Sequence, residues 1–358
     1  MKKLTDMALC IALGGSGKEL GNISVYCVQR RRHLLIALPA DRDAARVTLK
    51  LYQPQVFIGK AVAAVVGFLV RVGLHRILPR KSLTVRAGGP LAVLASDRAK
   101  VGFLLGNPEA DTRRALMVHK EGGGYVVDKV GVDQKSRASV MAELEVIKTL
   151  PDKLTGIPVL HGEHEGDTWA SYATDFVEGT SPRKGDDEQV LGVLVDWMNG
   201  AETVPLSETE QWQKMTDYAS RHENREIWEV LQKSATLRVK AVVLHGDFAP
   251  WNIKLSADGA VAVLDWETGC NEGPAGWDWL HYMIQKGSLV DNRSASETLK
   301  LCREWAKSGK GKSFLDEAGW GNQIEPWIGT YLGYSSWIAG FDRDELLSSW
   351  MVNQRLDS

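Results

Sequence analysis

The stretch VVLHGDFAPWNIKLSADGAVAVLDWE, residues 242–267, decides how the rest of the chain is read. The apolar run Ala241 to Leu244 predicts a buried strand that delivers His245-Gly-Asp247 to its end. Asn252 follows five residues after that aspartate. A short hairpin comes next: Ile253 to Leu255, a turn at Ala257-Asp258-Gly259, and the apolar strand Ala260 to Leu264. The hairpin returns Asp265 beside the loop it left. Asp247, Asn252 and Asp265 are thereby expected at one end of a small sheet. Phosphoryl transfer from a nucleotide needs such a set. One carboxylate orients the attacking hydroxyl and accepts its proton, while an amide oxygen and a second carboxylate hold magnesium, a hard cation that prefers oxygen ligands.

The ordered set HxDxxxxN, hairpin, DWE resembles the aminoglycoside phosphotransferase and choline kinase family, which shares the protein-kinase fold. The resemblance implies an α+β, bilobal protein-kinase-like fold, with a small antiparallel-sheet N-lobe and a helical C-lobe. It implies Asp247 as catalytic base and Asn252 and Asp265 as ligands of Mg²⁺, with ATP as donor. Asp278, in Gly276-Trp-Asp278, matches the family's buried aspartate at the start of a helix, which steadies the catalytic loop by hydrogen bonds. The competing reading of 245–267 is an Asp-rich turn between strands. That reading explains one acidic residue but not the joint spacing.

Upstream, Val101–Leu105, Arg114–His119 and Gly124–Val130 read as three antiparallel strands, followed by a helix from Ser136 to Leu150. By resemblance, Lys129 on the third strand meets nucleotide phosphates and Glu143 on the helix holds it. Glu145 points elsewhere, about 200° around the axis. Trp169–Val177 reads as a further strand running into a segment similar to the family's hinge, where the backbone of Asp175 and Val177 would meet adenine. His161 and His164 are placed in a polar loop before it. No GxGxxG is present; the first hairpin has one glycine, Gly106, and backbone amides around Asn107 to Thr112 are left for the phosphates. This departure weighs against a protein kinase, as does the lack of an APE-like segment after DWE.

Beyond the hinge, helices are expected over Glu188–Met198, Glu208–Ser220, Arg225–Ser234, Ser294–Lys307 and Gln323–Trp337. The Trp-rich helices read as core, with Trp residues at a cleft rim as the other option.

The first hundred residues lie outside the resemblance. They carry 17 Lys and Arg against 5 Asp and Glu, while residues 101–358 carry 26 against 40. All 13 tryptophans fall between Trp169 and Trp350. The expected organisation is therefore 1–100 as a basic N-terminal α/β extension, 101–177 as N-lobe and 178–358 as C-lobe. A signal peptide at Met1–Leu13 is a weak reading, because Thr5 and Asp6 break the apolar patch. Gly14-Gly-Ser-Gly-Lys18 fails the phosphate-loop pattern at Ala12 and Glu19 and reads as a flexible turn. Ile23–Val28, His33–Leu38 and Arg46–Tyr52 read as β, and Gln55–Leu78 as a helix ended by Pro79.

That helix has two readings. One is a mostly buried helix of an extra subdomain. The other is a basic amphipathic helix at residues 55–81 resting on an anionic membrane face, helped by Arg76, Arg80 and Lys81. Lys60 and Arg71 stand too close together for a membrane span, which needs about twenty apolar residues. Nucleic acid binding is not expected, since the basic residues lack interleaved aromatics.

Four cysteines without paired spacing point to a reducing compartment, hence the cytoplasm, with peripheral attachment at the inner membrane face under the second reading. The expected activity is a small-molecule kinase. Its acceptor is an aminoglycoside, a choline-like amine or a sugar, and the acidic balance of 101–358 leans toward a cation. The rival classes are a catalytically silent nucleotide-binding module and a kinase of an envelope saccharide.

Overall fold

The computed structural model describes residues 13, 15–30, 33–52, 54, 57–105, 114–151, 154–222 and 225–356. Its architecture is the expected mixture of an antiparallel sheet and many helices. The chain divides into two compact units, residues 1–145 with 158–178, and residues 146–157 with 179–358.

The first unit is built on eight antiparallel strands: β1 (Glu19–Arg30), β2 (His33–Pro39), β3 (Arg80–Arg86), β4 (Gly102–Leu105), β5 (Arg114–Glu121), β6 (Gly124–Gly131), β7 (Leu160–Glu165) and β8 (Ala170–Asp175). Their order is β3-β1-β2-β4-β5-β6-β8-β7. The strands expected on either side of residue 100 therefore share one sheet, with Ile36 opposite Leu104 and Ala37 opposite Phe103.

Both faces are apolar, which is why β2 and β4 read as continuous hydrophobic runs. Cys27, Ala37, Phe103 and Leu105 enter one core; Val28, Ile36, Leu38 and Leu104 enter another with Ala45, Val66 and Val70 of two covering helices. Close approach of a covering helix fixes the first residue of β4. A Cβ on Gly102 would lie 1.8 Å from Thr48 Oγ1, so only glycine fits there.

Several expectations are corrected. Arg46–Tyr52 is not a strand but the second part of a helix, Arg42–Lys50. Its alternation Val-Thr-Leu-Lys-Leu suggests β, yet Asp41 caps the helix by accepting from Ala44 N at 2.8 Å, and Ala44, Ala45, Val47 and Thr48 bury its inner face. The strand Arg80–Arg86 was not anticipated. His161 and His164 lie on β7 rather than in a loop.

The helix expected over 55–78 runs from Phe57 to Arg71, followed by a turn and a 3₁₀ segment at His75–Ile77. It is not mostly buried: Ile58, Val65 and Phe68 are more than half exposed. The Gly15–Lys18 turn is held, not loose, since Ala87 N donates to Lys18 O and a Cβ on Gly17 would meet Ala87 O at 2.3 Å. The loop at 106–113 and nearly all of residues 1–14 fall outside the described residues.

The second unit is helical around a three-stranded sheet, β13-β10-β9, made of β9 (Thr203–Pro205), β10 (Arg238–Leu244) and β13 (Cys270–Pro274), with a separate hairpin of β11 (Ile253–Leu255) and β12 (Val261–Val263). The expected helices appear as Asp187–Trp197, Glu210–Arg221, Arg225–Leu231, Ala295–Lys307 and Ile324–Trp337, and two more, Gly309–Ala318 and Asp344–Leu356, follow the same apolar spacing. Ser294 and Glu297 form a capping box at the start of one of them. The tryptophans expected as core are core: Trp266, Trp277, Trp320, Trp327 and Trp350 are fully buried.

Candidate active site

β10 ends at Leu244, and the chain enters the loop His245-Gly-Asp247. Gly246 adopts φ +79, and a Cβ there would sit 2.6 Å from Thr268 O, so the loop requires glycine. His245 is completely buried and explains how loop and hairpin end converge. Its Nε2–H donates to Leu264 O at 3.0 Å, and its Nδ1 accepts from Asp247 N at 3.3 Å. Leu264 N in turn donates to Asn252 O at 2.7 Å. Leu264 is thus held from both sides, and Asp265 is the next residue. Thr268 closes the arrangement by donating to His245 O at 3.0 Å.

Asp265 has φ +69, a left-handed conformation that its short polar side chain tolerates; among the described residues Asn292 is the one other non-glycine with positive φ. Strain of this kind persists where the surroundings fix it. Here the fixing groups are the two Leu264 hydrogen bonds and Trp266, which is buried against His245 with ring centroids 4.7 Å apart.

The carboxylate of Asp247 is oriented at both oxygens. Oδ2 accepts from Asn252 Nδ2 at 2.9 Å, and Oδ1 accepts from His281 Nε2 at 2.9 Å. The same Asn252 amide nitrogen also donates to Asp247 O at 2.9 Å. With its nitrogen committed to Asp247, the atom Asn252 could offer a cation is its amide oxygen. The Asp247 side chain remains 22 % exposed, while that of His281 is 1 % exposed.

Behind the loop, Asp278 does what the resemblance implies. Its Oδ2 accepts from His245 N at 2.7 Å and its Oδ1 from Gly246 N at 3.0 Å. Burial pushes the Asp278 carboxyl up to about 7, against the two N–H donors that favour its charged form. Burial also drives His245 down to about 4 and lowers His281 from its ordinary value, although the Asp247 carboxylate pulls both the other way. Both imidazoles are therefore neutral near pH 7.

His281 has no assigned role in the sequence pattern. It follows Asp278 by three residues on the helix Trp277–Gln285, so the two side chains share a face. Tyr331 OH donates to His281 Nδ1 at 2.7 Å, and Ser335 Oγ donates to Tyr331 OH at 3.3 Å. The Asp247 carboxylate can only accept, which puts the imidazole proton on Nε2 and leaves Nδ1 to accept from Tyr331. The i, i+3 spacing of Asp278 and His281 was the available signal; Tyr331 comes from a distant helix and left none. Two buried indoles set this helix in place: Trp320 Nε1 donates to Ala275 O at 2.7 Å, and Trp327 Nε1 to Gly276 O at 3.2 Å.

In the first unit, Lys129 and Glu143 meet as expected. Nζ lies 2.5 Å from Oε2, Glu143 is fully buried, and Arg114 Nη1 stands 3.8 Å from the same oxygen. Asp175 closes β8, where its N–H donates to Val159 O at 3.2 Å and its carboxylate accepts from His161 Nε2 at 2.5 Å. Phe176 N–H donates to Tyr125 O at 3.0 Å. The Asp175 N–H is thus committed to Val159, and Val177 lies just past the end of the strand.

Comparison with known proteins gives matching results on part of the chain. No curated protein matches it. Among solved structures it is similar to an aminoglycoside phosphotransferase, APH(4)-Ia, crystallised as a thermostable mutant with ADP and hygromycin B: 12% identity, 71% of this chain and 92% of that one, TM-score 0.47. It is also similar to the choline kinase LicA from Streptococcus pneumoniae: 13% identity, 67% and 88% coverage, TM-score 0.39. A third is aminoglycoside phosphotransferase APH(3'')-Id from Streptomyces rimosus: 17% identity, 62% and 92% coverage, TM-score 0.38. Residues 201–282, the stretch that contains Asp247, Asn252, Asp265, Asp278 and His281, match the model of the phosphotransferase enzyme family.

Proposed function

We propose that the chain is an ATP-dependent phosphotransferase that moves the γ-phosphoryl group to a hydroxyl of a small molecule. The observation that carries this reading is the Asp247 carboxylate, anchored at both oxygens by neutral donors yet still reachable from solvent. A general base must be oriented without being neutralised, and this arrangement meets that condition. In the transfer the acceptor oxygen bonds to the γ-phosphorus, the bond to the ADP oxygen breaks, and the acceptor proton passes to Asp247. Positioning and charge neutralisation supply most of the rate in such reactions.

The residues fit magnesium. Asn252 has its amide oxygen for a cation because its nitrogen is bound to Asp247, and Asp265 adds a carboxylate two residues past the hairpin strand. Two protein oxygens suit an ion that keeps several waters and is completed by substrate phosphates, as magnesium does. Magnesium, when bound, would neutralise charge on the phosphates. We assign Lys129, held by Glu143, to the nucleotide phosphates, and the main chain of Asp175 and Val177 to adenine. His281 is a positioning residue that acts through Asp247.

For the acceptor we favour a cationic molecule, an aminoglycoside or choline-like amine, ahead of a sugar, because residues 101–358 carry 26 Lys and Arg against 40 Asp and Glu. Unpaired cysteine spacing supports a cytoplasmic location. The test is transfer from γ-labelled ATP with magnesium to a panel of aminoglycosides, small amines and sugars. A labelled product from wild type, lost in Asp247→Ala with nucleotide binding retained, is the expected result. Magnesium-dependent ATP binding without any product would instead favour a silent nucleotide-binding module.

A further inference from the structure

Residues 44–96 contain eight Lys and Arg and not one Asp or Glu. Within this stretch the helix Phe57–Arg71 is apolar on two sides. Val66 and Val70 are buried among Ile36, Leu38 and Ala45, against the sheet. Ile58, Val62, Val65 and Phe68 lie on the other side at helical spacing, 77, 43, 61 and 62 % exposed. Val72, Leu74 and Ile77 continue the exposed apolar surface beyond the helix end. Soluble monomers scatter such side chains singly; a contiguous stripe marks a surface that meets something.

A cavity of about 340 Å³ lies beneath, lined by Val28, Leu35, Leu49 and Tyr52 and closed on the helix side by Ile58 and Val62. The last two residues belong to the cavity and to the stripe at once. Lys60, Arg71, Arg76, Arg80 and Lys81 are all exposed around it.

We infer that residues 57–81 rest on an anionic lipid bilayer, with the apolar stripe among the acyl chains, the surrounding cations on the headgroups, and the cavity taking the end of one acyl chain. This goes beyond the phosphotransfer reading and does not depend on it. Charge complementarity selects the occupant. A second copy of the same face would bring cations against cations, with no acidic residue in the stretch to answer them. Spanning is excluded by length. Fifteen residues rise about 22 Å, short of a hydrocarbon core of about 30 Å, and no described helix is long and apolar enough to cross. Lying in the interface uses both the stripe and the cations.

The experiment is co-sedimentation of the full chain with vesicles of phosphatidylcholine alone and of equal parts phosphatidylcholine and phosphatidylglycerol. The protein is expected to pellet with the mixed vesicles only, and less so as salt rises. Val65→Asp with Phe68→Asp should abolish pelleting without changing the thermal unfolding midpoint, because both sites are exposed. Lys60→Gln and Arg71→Gln should each weaken partitioning about fivefold. Wild type remaining in the supernatant with both vesicle types, pelleting equally with both, or pelleting unchanged in the double Asp variant would overturn the inference. So would a dimer in lipid-free sedimentation velocity that the double Asp variant dissolves, since a second copy would then cover the stripe.

Discussion

The sheet unit and the helical unit each hold a buried charge, by opposite means. On β6, Lys129 is matched directly by a carboxylate, with Glu143 Oε2 at 2.5 Å and no exposure of the acid. In the loop after β10, an amide and a neutral imidazole hold Asp247, and among the described residues no Lys or Arg ion pair reaches it. Opposed charges cancel and leave a defined position. Neutral donors fix a carboxylate without setting an opposite charge against it. Under the proposed function the first arrangement would place a cation and the second would hold the base.

The contrast breaks most visibly at Asp247. Asp247→Asn removes the base while retaining shape, and labelled-phosphate transfer should fall by about 10³-fold. Next in size, Lys129→Met removes the cation that stands 2.5 Å from the buried Glu143 carboxylate, and urea unfolding should report a loss of about 3 kcal/mol. Lys129→Met combined with Glu143→Leu should recover most of that stability but not nucleotide affinity. A pair that exists only for stability would recover neither less nor more than its packing, so retained nucleotide binding in the double variant would count against the role of Lys129.

The third test sets two buried groups of the loop against each other. His245 titrates at about 4 in the folded chain and near 6.5 when unfolded. On acidification the unfolded chain takes up the proton first, so stability falls as pH drops through that window. Asp278 runs the other way: about 7 folded, 3.8 unfolded, so its contribution falls as pH rises between those values. Wild type should therefore show a shallow slope of stability against pH from about 4 to 6.5. His245→Gln should become less stable with rising pH, and Asp278→Asn more stable with rising pH, each read by urea midpoints. Equal slopes in all three proteins would remove the opposition. Smallest of the set, Tyr331→Phe takes away the hydroxyl bonded to His281 Nδ1 and should cost about 1 kcal/mol, with kcat lowered more than KM is raised.

Much of the helical unit's site was legible because it is local. His245, Asp247, Asn252 and Asp265 fall within 21 residues, and strand, loop and hairpin signals between them are unambiguous. Asp278 was legible by its place after DWE. Tyr331 was not, because it reaches His281 from a helix fifty residues on, and no periodicity marks such a meeting. In the sheet unit, Lys129 and Glu143 were readable from element order alone. The first hundred residues were harder. The alternation at Arg46–Tyr52 was overridden by a capping aspartate and a face of small residues that fits the sheet. The exposed side of the helix Phe57–Arg71 looks as apolar as its buried side in the sequence, Ile58, Val62, Val65 and Phe68 against Val66 and Val70. Only the position of the sheet tells them apart.

The distribution of tryptophan carries a practical consequence. Twelve of the 13 indoles belong to the helical unit, and Trp169 alone belongs to the sheet unit. Two of the twelve are bonded to the turn that launches the helix bearing Asp278 and His281. Intrinsic fluorescence is therefore an almost selective optical window on the helical unit, and a fluorescence trace set beside a far-ultraviolet one resolves whether the two units melt together or in sequence.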